Sequence, residues 1–274
     1  METGCRRAIL FLLFSPLFGT GFAQTETPVK VDKPLKSYSH WYFGAEYGVP
    51  FLFGDFTSFS ADKTYVGSQF GGFAGYQVNS WIGIEASART GYTRMGAKSY
   101  AGDYLMNADG MTYYTNQDFN TWKYKDVFSK VHFTNIGLQM NLNVNNFFGP
   151  NRGNRRWTVL LGPAVYAQHF STELINKADK SPLSGKKTDK WNIGIGGDVS
   201  LRYKISRAFD VQLRTGIIWV NNNKMDGIST LIKSKDHFMT SAGLSLIWKV
   251  GKKKEDNVLY ASRRAADVEI RYIE

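Results

Sequence analysis

The sequence predicts an all-β fold: a closed up-and-down antiparallel transmembrane β-barrel of about eight strands with long extracellular loops. Three observations carry this. Apolar and polar residues alternate with period two in eight separate stretches, the repeat of a strand with two unlike faces. No apolar run of about 18 residues follows the N-terminal segment, so no transmembrane helix is available. The connections between stretches alternate short and long, as in barrels with periplasmic turns and extracellular loops.

The N-terminus reads as an export signal. Arg6 and Arg7 form a positive start, Ala8 to Phe14 an apolar run, and Gly21-Phe22-Ala23 a small-residue cleavage site. The run is too short to span a bilayer, and Pro16 interrupts it. Cleavage after Ala23 divides the chain into a signal (1–23), a periplasmic leader (24–39), a barrel (40–250) and a periplasmic tail (251–274). Cys5 leaves with the signal and is the only cysteine, so a disulfide framework and Cys-ligated metals are excluded. The formal net charge of +11 loses one unit with Glu2, Arg6 and Arg7. A basic chain raises nucleic acid as a partner, which export argues against. Lipid A phosphates suit the charge, and so does a plain solvated basic surface. Mean hydropathy is −0.31, but a hydropathy average cannot see strands that hide every second residue.

The clearest strand covers about Trp81–Thr93, with Ile82, Ile84, Ala86 and Ala88 on one face and Gly83, Glu85, Ser87 and Arg89 on the other. Others cover about His40–Gly48, Ser68–Val78, Val131–Val144, Arg156–Gln168, Trp191–Lys204, Phe209–Val220 and Phe238–Val250. Phe73 is the one misfit on the polar side of the second. The polar faces mix charged and amide side chains with many glycines. Glycine on a solvated face weakens a strand and packs nothing, whereas in a narrow lumen it leaves room for long side chains. The expectation is apolar outside and polar inside. A tight turn falls at Asn79-Ser80, another short connection near Ser206-Arg207 and a modest one over 145–155; long ones cover about 50–66, 94–130, 171–190 and 221–236. Trp41, Trp81, Trp157 and Trp248 then lie at one set of strand ends, and Trp191 and Trp219 at the other. Together these six form the aromatic belt of a membrane interface. Only Trp122 sits in a loop.

The stretch Phe73-Ala74-Gly75-Tyr76-Gln77-Val78-Asn79-Ser80-Trp81-Ile82-Gly83-Ile84-Glu85 resembles the second hairpin of the OmpA transmembrane domain family, with Ala74 standing for a glycine. The match covers about a dozen residues; the rest matches in architecture. The resemblance implies a monomeric eight-stranded barrel with a salt-bridged lumen, in which Glu85 pairs with a basic residue among Arg89, Arg202, Arg214, Lys204 and Lys249. Two features depart from the family. No peptidoglycan-binding domain is expected in 251–274, and the loop content is large.

Candidate functional residues fall into three groups. The lumen set is Glu46, Glu85, Arg89, Asp198, Arg202, Asp210 and Arg214; opposite charges there should pair and plug the barrel, because unpaired ones would cost several kcal/mol each. The second loop is dense in aromatics and methionines: Tyr100, Tyr104, Met106, Met111, Tyr113, Tyr114, Phe119, Trp122, Tyr124 and Phe128. They suggest either a folded cap or a contact surface. Lys177, Lys180, Lys186, Lys187 and Lys190 of the third loop could meet lipopolysaccharide or stay solvated. An enzyme would need a histidine with an orienting carboxylate and a serine. His169, Ser171 and Glu173 offer this only weakly, as does His132 beside them. No catalytic residue, metal site or cofactor is expected. Gly194-Ile195-Gly196-Gly197 lies within a strand and is no phosphate loop.

The sequence therefore predicts a non-enzymatic, monomeric outer-membrane barrel in contact with outer-membrane lipid and lipopolysaccharide, with a structural or adhesive role carried by its loops. The alternative is a subunit of an envelope transport or secretion assembly that contacts an envelope protein through its tail, where Val268–Ile273 alternates weakly. A lipid A-modifying barrel enzyme ranks third.

Overall fold

The computed structural model describes residues 38–98, 104–107, 112–113, 121–148, 155–183, 188–220, 224–229, 237–252 and 256–261. The proposed signal, most of the leader, parts of the long loops and Val268–Ile273 lie outside them. Eight long strands form the body: β1 (Trp41–Phe53), β2 (Ser68–Gln77), β3 (Ile82–Ala97), β4 (Val127–Asn143), β5 (Trp157–Asn176), β6 (Thr188–Lys204), β7 (Phe209–Val220) and β8 (His237–Lys249). Each pairs antiparallel with its neighbours in the chain. β8 returns to β1, with Leu244 opposite Tyr47 and Lys249 opposite Tyr42. Closure leaves no edge strand in the body, the condition for a sheet in a bilayer.

The short connections share one end. Asn79 Oδ1 accepts from the Trp81 and Ile82 amides at 2.8 and 2.9 Å, closing the β2–β3 turn. Ser206 Oγ does the same for Ala208 and Phe209 after β6, at 3.2 and 2.9 Å. Both are side-chain-stabilised turns, the use to which asparagine and serine are suited. After β4, Asn145–Phe148 forms one helical turn, and Asn145 Oδ1 accepts from the Val159 amide at 2.6 Å.

Several strands run further toward the long loops than the sequence pattern predicts. β5 extends to Asn176 and has 20 residues, well beyond the roughly 9–11 that a tilted strand needs to cross a bilayer. β1 runs on to Phe53, β3 reaches Ala97, β4 starts at Val127 and β6 at Thr188. On β4 and β5 the reason is a switch of the apolar side from the outer to the inner face along the strand. On β4, Ile136 and Leu138 are exposed on the outside while Asn135 and Gln139 are buried in the lumen. A few residues nearer the loops, Val131 and Phe133 are buried inside and His132 is exposed. β5 does likewise, with Val165 exposed and Gln168 inside, then Phe170 and Leu174 inside. Where the lower part of the wall faces hydrocarbon and the upper part faces water, the apolar side of these two strands switches. The polar-lumen expectation is therefore corrected: it holds for the lower part, while the upper lumen is an apolar core.

That core gathers Leu52, Met95, Val127, Val131, Phe133, Phe170, Leu174, Ile218, Val220 and Met239 from the strands. From the loops it takes Phe56, Leu105, Met225 and Ile228, and Tyr113, Trp122 and Tyr124 pack on it. The loop segments are themselves tied. Ile228–Ser229 pairs antiparallel with Met106–Asn107, and the Leu105, Tyr113 and Trp122 amides bond to the Trp122, Leu105 and Tyr113 carbonyls. These described aromatics of the second loop form a folded cap; Tyr100, Met111, Tyr114 and Phe119 lie outside the described residues.

The turn end is closed by the chain itself. Asp256–Asn257 pairs in parallel with Tyr38–Ser39, a segment that the sequence assigns to the leader. Asn257 Oδ1 caps the Leu259 amide at 3.0 Å. Val258, Leu259, Tyr260 and Ala261 are buried, with Leu259 and Tyr260 packed on Leu160 of β5.

Candidate functional site

The charged residues of the lumen come from strands spread around the ring, and period two turns each of them inward. All seven predicted lumen residues are buried. Arg214 is the hub: Nη2 lies 2.7 Å from Glu85 Oε1, Nη1 3.6 Å from Glu46 Oε2 and Nε 3.7 Å from Asp198 Oδ2. Arg89 Nε lies 3.1 Å from Glu46 Oε1. Neutral side chains add hydrogen bonds to the carboxylates. Tyr42 donates to Glu85 Oε2 at 3.1 Å, Asn141 donates to the same oxygen at 3.2 Å, and Gln139 donates to Asp198 Oδ1 at 3.0 Å. Arg202 donates to Gln212 Oε1 at 2.8 Å and lies over the Tyr42 ring at 4.7 Å. Of the five basic candidates for Glu85, the structure selects Arg214.

Phe73, the misfit of the sequence pattern, belongs inside. Its ring packs with Tyr42 and Ile247 and carries the Arg214 guanidinium 4.8 Å from its centroid. The ring occupies the space beside Gly44, where a Cβ would stand 2.1 Å from Phe73 Cζ. A side chain at 44 and a phenylalanine at 73 exclude one another, so the glycine makes the cation–π surface possible.

Asp210 does not join this hub. Near the turn end it pairs with Lys249 Nζ at 2.5 Å and accepts from Tyr260 Oη at 2.8 Å. Lys204, expected among the lumen partners, instead reaches Asp256 of the tail at 2.5 Å. Burial and the neighbouring Asp210 push the Tyr260 phenol far above its ordinary pKa, so it stays a donor. Sequence reasoning missed this basal lock, because Tyr260 stands in a stretch with no alternation.

Outside, the exposed apolar band is bordered by aromatics at both ends. Toward the turns, Trp41 meets Tyr76 at 5.0 Å, Phe43 meets Trp248 at 6.4 Å and Trp157 meets Tyr203 at 4.6 Å. Trp81 sits beside them in the β2–β3 turn, half-buried. Toward the loops, Trp191 and Trp219 are exposed on the outer face. Phe53 stacks on Phe238 at 4.6 Å, and Phe51 on Phe59 at 5.0 Å. Just beyond, Arg94 and Lys130 stand directly opposite each other on β3 and β4.

The histidine candidates lie on the outer face. His169 Nε2 is 2.5 Å from Asp189 Oδ1, not from Glu173, and its ring lies against Trp191. Glu173 is instead opposite Lys130. Ser171 stands opposite His132 in the β4–β5 register, but its Oγ makes no hydrogen bond; the His132 ring lies against Tyr92. Lys177, expected in a solvated or lipid-facing loop, pairs with Asp62 at 2.8 Å. Burial opposes the Asp62 anion, but Lys177 and Ser60 hold its pKa down to about 2. Lys180 and Lys190 are exposed; Lys186 and Lys187 lie outside the described residues.

No protein-family model matches the chain, and no curated protein matches it. Among solved structures it is similar to Neisserial surface protein A at 12% identity, covering 77% of this chain and 97% of that one, with a TM-score of 0.41. It is similar to Ail, the attachment invasion locus protein of Yersinia pestis, solved in complex with the heparin analogue sucrose octasulfate, at 10% identity, covering 78% and 100%, with a TM-score of 0.43. A major outer membrane protein from Thermus thermophilus matches at 11% identity, covering 77% and 99%, with a TM-score of 0.42. The closed register and the exposed apolar band between two aromatic rings make this chain an eight-stranded transmembrane β-barrel.

Proposed function

We propose that the chain is a bacterial outer-membrane barrel whose role is structural or adhesive and is exerted at its capped loop end. The observation that carries this reading is the filled lumen. The hub around Arg214 occupies the middle, the apolar core occupies the loop end, and the tail occupies the turn end. A barrel of eight strands is narrow enough for side chains to fill, which favours the outside surface over a transport path. With the tail periplasmic, the cap faces outward. Arg94 and Lys130 then lie at the outer rim with Glu173 beside Lys130, and the excess positive charge there would favour lipopolysaccharide phosphates. The tail-contact reading is weaker, since residues 256–261 are engaged within the barrel itself. The lipid A enzyme reading is weaker, since Ser171 Oγ makes no hydrogen bond to either neighbouring histidine.

The test is reconstitution in planar bilayers beside whole-cell binding. Wild-type protein is expected to show no stable conductance, and replacing the second loop by a short linker is expected to reduce attachment of expressing cells to host or polysaccharide surfaces. A steady ohmic conductance would make the lumen a pore and overturn the reading; unchanged attachment would remove the adhesive half.

A further inference from the structure

The cap contains a buried polar cluster that neither the barrel nor the lumen hub requires. Asp226 comes from the fourth loop, Asp55 from the first, and His237 opens β8; their side-chain N and O atoms lie within 4.8 Å of one another. Asp226 and His237 have no exposed surface. Asp226 Oδ2 accepts from the Phe56 amide at 2.9 Å and Oδ1 from the Ile228 amide at 3.3 Å. One carboxyl group thus ties two loops together. Gly54 lets the first loop pass, since a Cβ there would stand 2.6 Å from His237 Nε2. The Met225 amide donates to His237 Nδ1 at 3.2 Å, and Thr172 Oγ1 donates to the Met225 carbonyl at 2.6 Å. Nδ1 is therefore an acceptor, and the neutral ring carries its hydrogen on Nε2, 3.5 Å from Asp226 Oδ2. A ring in that tautomer meets the carboxylates as a donor and has no lone pair there for a metal ion. Asp55 sets a second carboxylate within 4.8 Å of the fully buried Asp226, and burial beside a like charge favours the protonated acid.

We propose that Asp226 is a proton-operated clasp on the cap: protonated, it holds the first and fourth loops on the apolar core, and ionised, it lets them lift from it.

Burial disfavours the anion more than the Phe56 and Ile228 amides favour it, which raises the pKa from 3.8 to about 7. Because the closed form binds the proton more tightly, its advantage is full below 3.8 and is lost as pH rises through about 7. The titratable neighbours are Asp55 on the first loop, His237 on β8 and Lys224 at the head of its own turn. The other packed elements bring neutral groups: Thr172 and Leu174 of β5 against Gly227, and Met106–Asn107 paired with Ile228–Ser229. Asp62 and Lys177 also strap the first loop, but Asp62 titrates at about 2, below this range. The clasp would govern access to the surface given a function above, and it rests on that reading only for its purpose.

Amide hydrogen exchange of first- and fourth-loop peptides, in the folded full chain in detergent micelles, tests it between pH 5 and 9. After correction for intrinsic exchange, opening is expected to increase by up to about tenfold per pH unit and to level off above about pH 7. Asp226→Asn, which keeps an acceptor and cannot ionise, should give a flat profile, whereas His237→Gln should keep the inflection. Carboxyl carbon NMR of aspartate-labelled protein reads the Asp226 midpoint even if Asp226→Asn disturbs the cap. A flat wild-type profile, an Asp226→Asn variant that keeps the rise, or a midpoint near 4 would each overturn the clasp. None of these readouts involves a partner, so failure of the adhesive reading would leave them unchanged.

Discussion

Arg214 on β7 and Glu85 on β3 meet across the lumen, Nη2 to Oε1, at 2.7 Å, although 129 residues separate them in sequence. Around them Arg89, Arg202 and Arg214 face Glu46, Glu85 and Asp198, so the buried centre is balanced in charge. Balance matters more than attraction here, because desolvation consumes most of what a buried ion pair gains.

Removing the hub should therefore cost more than removing a pair. Arg214→Ala leaves three buried carboxylates against two guanidiniums. We expect a loss of about 3–5 kcal/mol, read as a lower urea midpoint for unfolding from lipid vesicles. Replacing Arg214 by methionine together with Glu85 by glutamine should recover part of that loss.

Gly44 and Phe73 share one space. Gly44→Val should destabilise by about 1–3 kcal/mol through overpacking, and Phe73→Ala in the same chain should relieve it. A double-mutant cycle measures the coupling. Additive effects would mean that the two positions are independent.

The reversal of phase along β4 makes three neighbouring positions behave differently. Ile136→Arg, on the lipid face, should cost about 2–4 kcal/mol in a bilayer. Phe133→Ala, in the loop-end core, should cost about 3–5 kcal/mol. Lys130→Ala, outside and above the band, should stay within about 0.5 kcal/mol. Heat-modifiable gel mobility and vesicle unfolding check all three.

At the turn end, Tyr260→Phe deletes the hydrogen bond to Asp210. The expected loss is about 1–3 kcal/mol because a buried acceptor is left short. Limited proteolysis of the protein in detergent micelles should then cut the tail faster, with the barrel mobility unchanged.

Acid should act on the outer strap. Asp62 is held at about 2, below the ordinary 3.8, so the contribution of its Lys177 pair is present above 3.8 and is lost as pH falls through about 2. Lys177→Met should weaken that dependence, the Ser60 hydrogen bond remaining, while leaving behaviour between pH 5 and 9 unchanged, as loop exchange would show.

The chain's alternation determined the strand count, the antiparallel order, the inward side of Glu85 and Arg214 and the outward side of Ile84 and Leu138. It could do so because a strand's two faces are fixed locally, residue by residue, whatever the partner. Other features needed the closed ring. Which cation meets Glu85 depends on the register of strands far apart in sequence, so Arg214, Arg89 and Arg202 look alike until the barrel closes. The upper ends of β4 and β5 read as loop because their apolar side reverses where the wall leaves the bilayer, and a period-two pattern marks alternation without naming the solvent on either side. Tyr260 of the tail lock and Asp226 of the buried cluster lie on turns and short segments with no period at all. Only tertiary packing, which buries a polar group and then dictates its partner, brings them together.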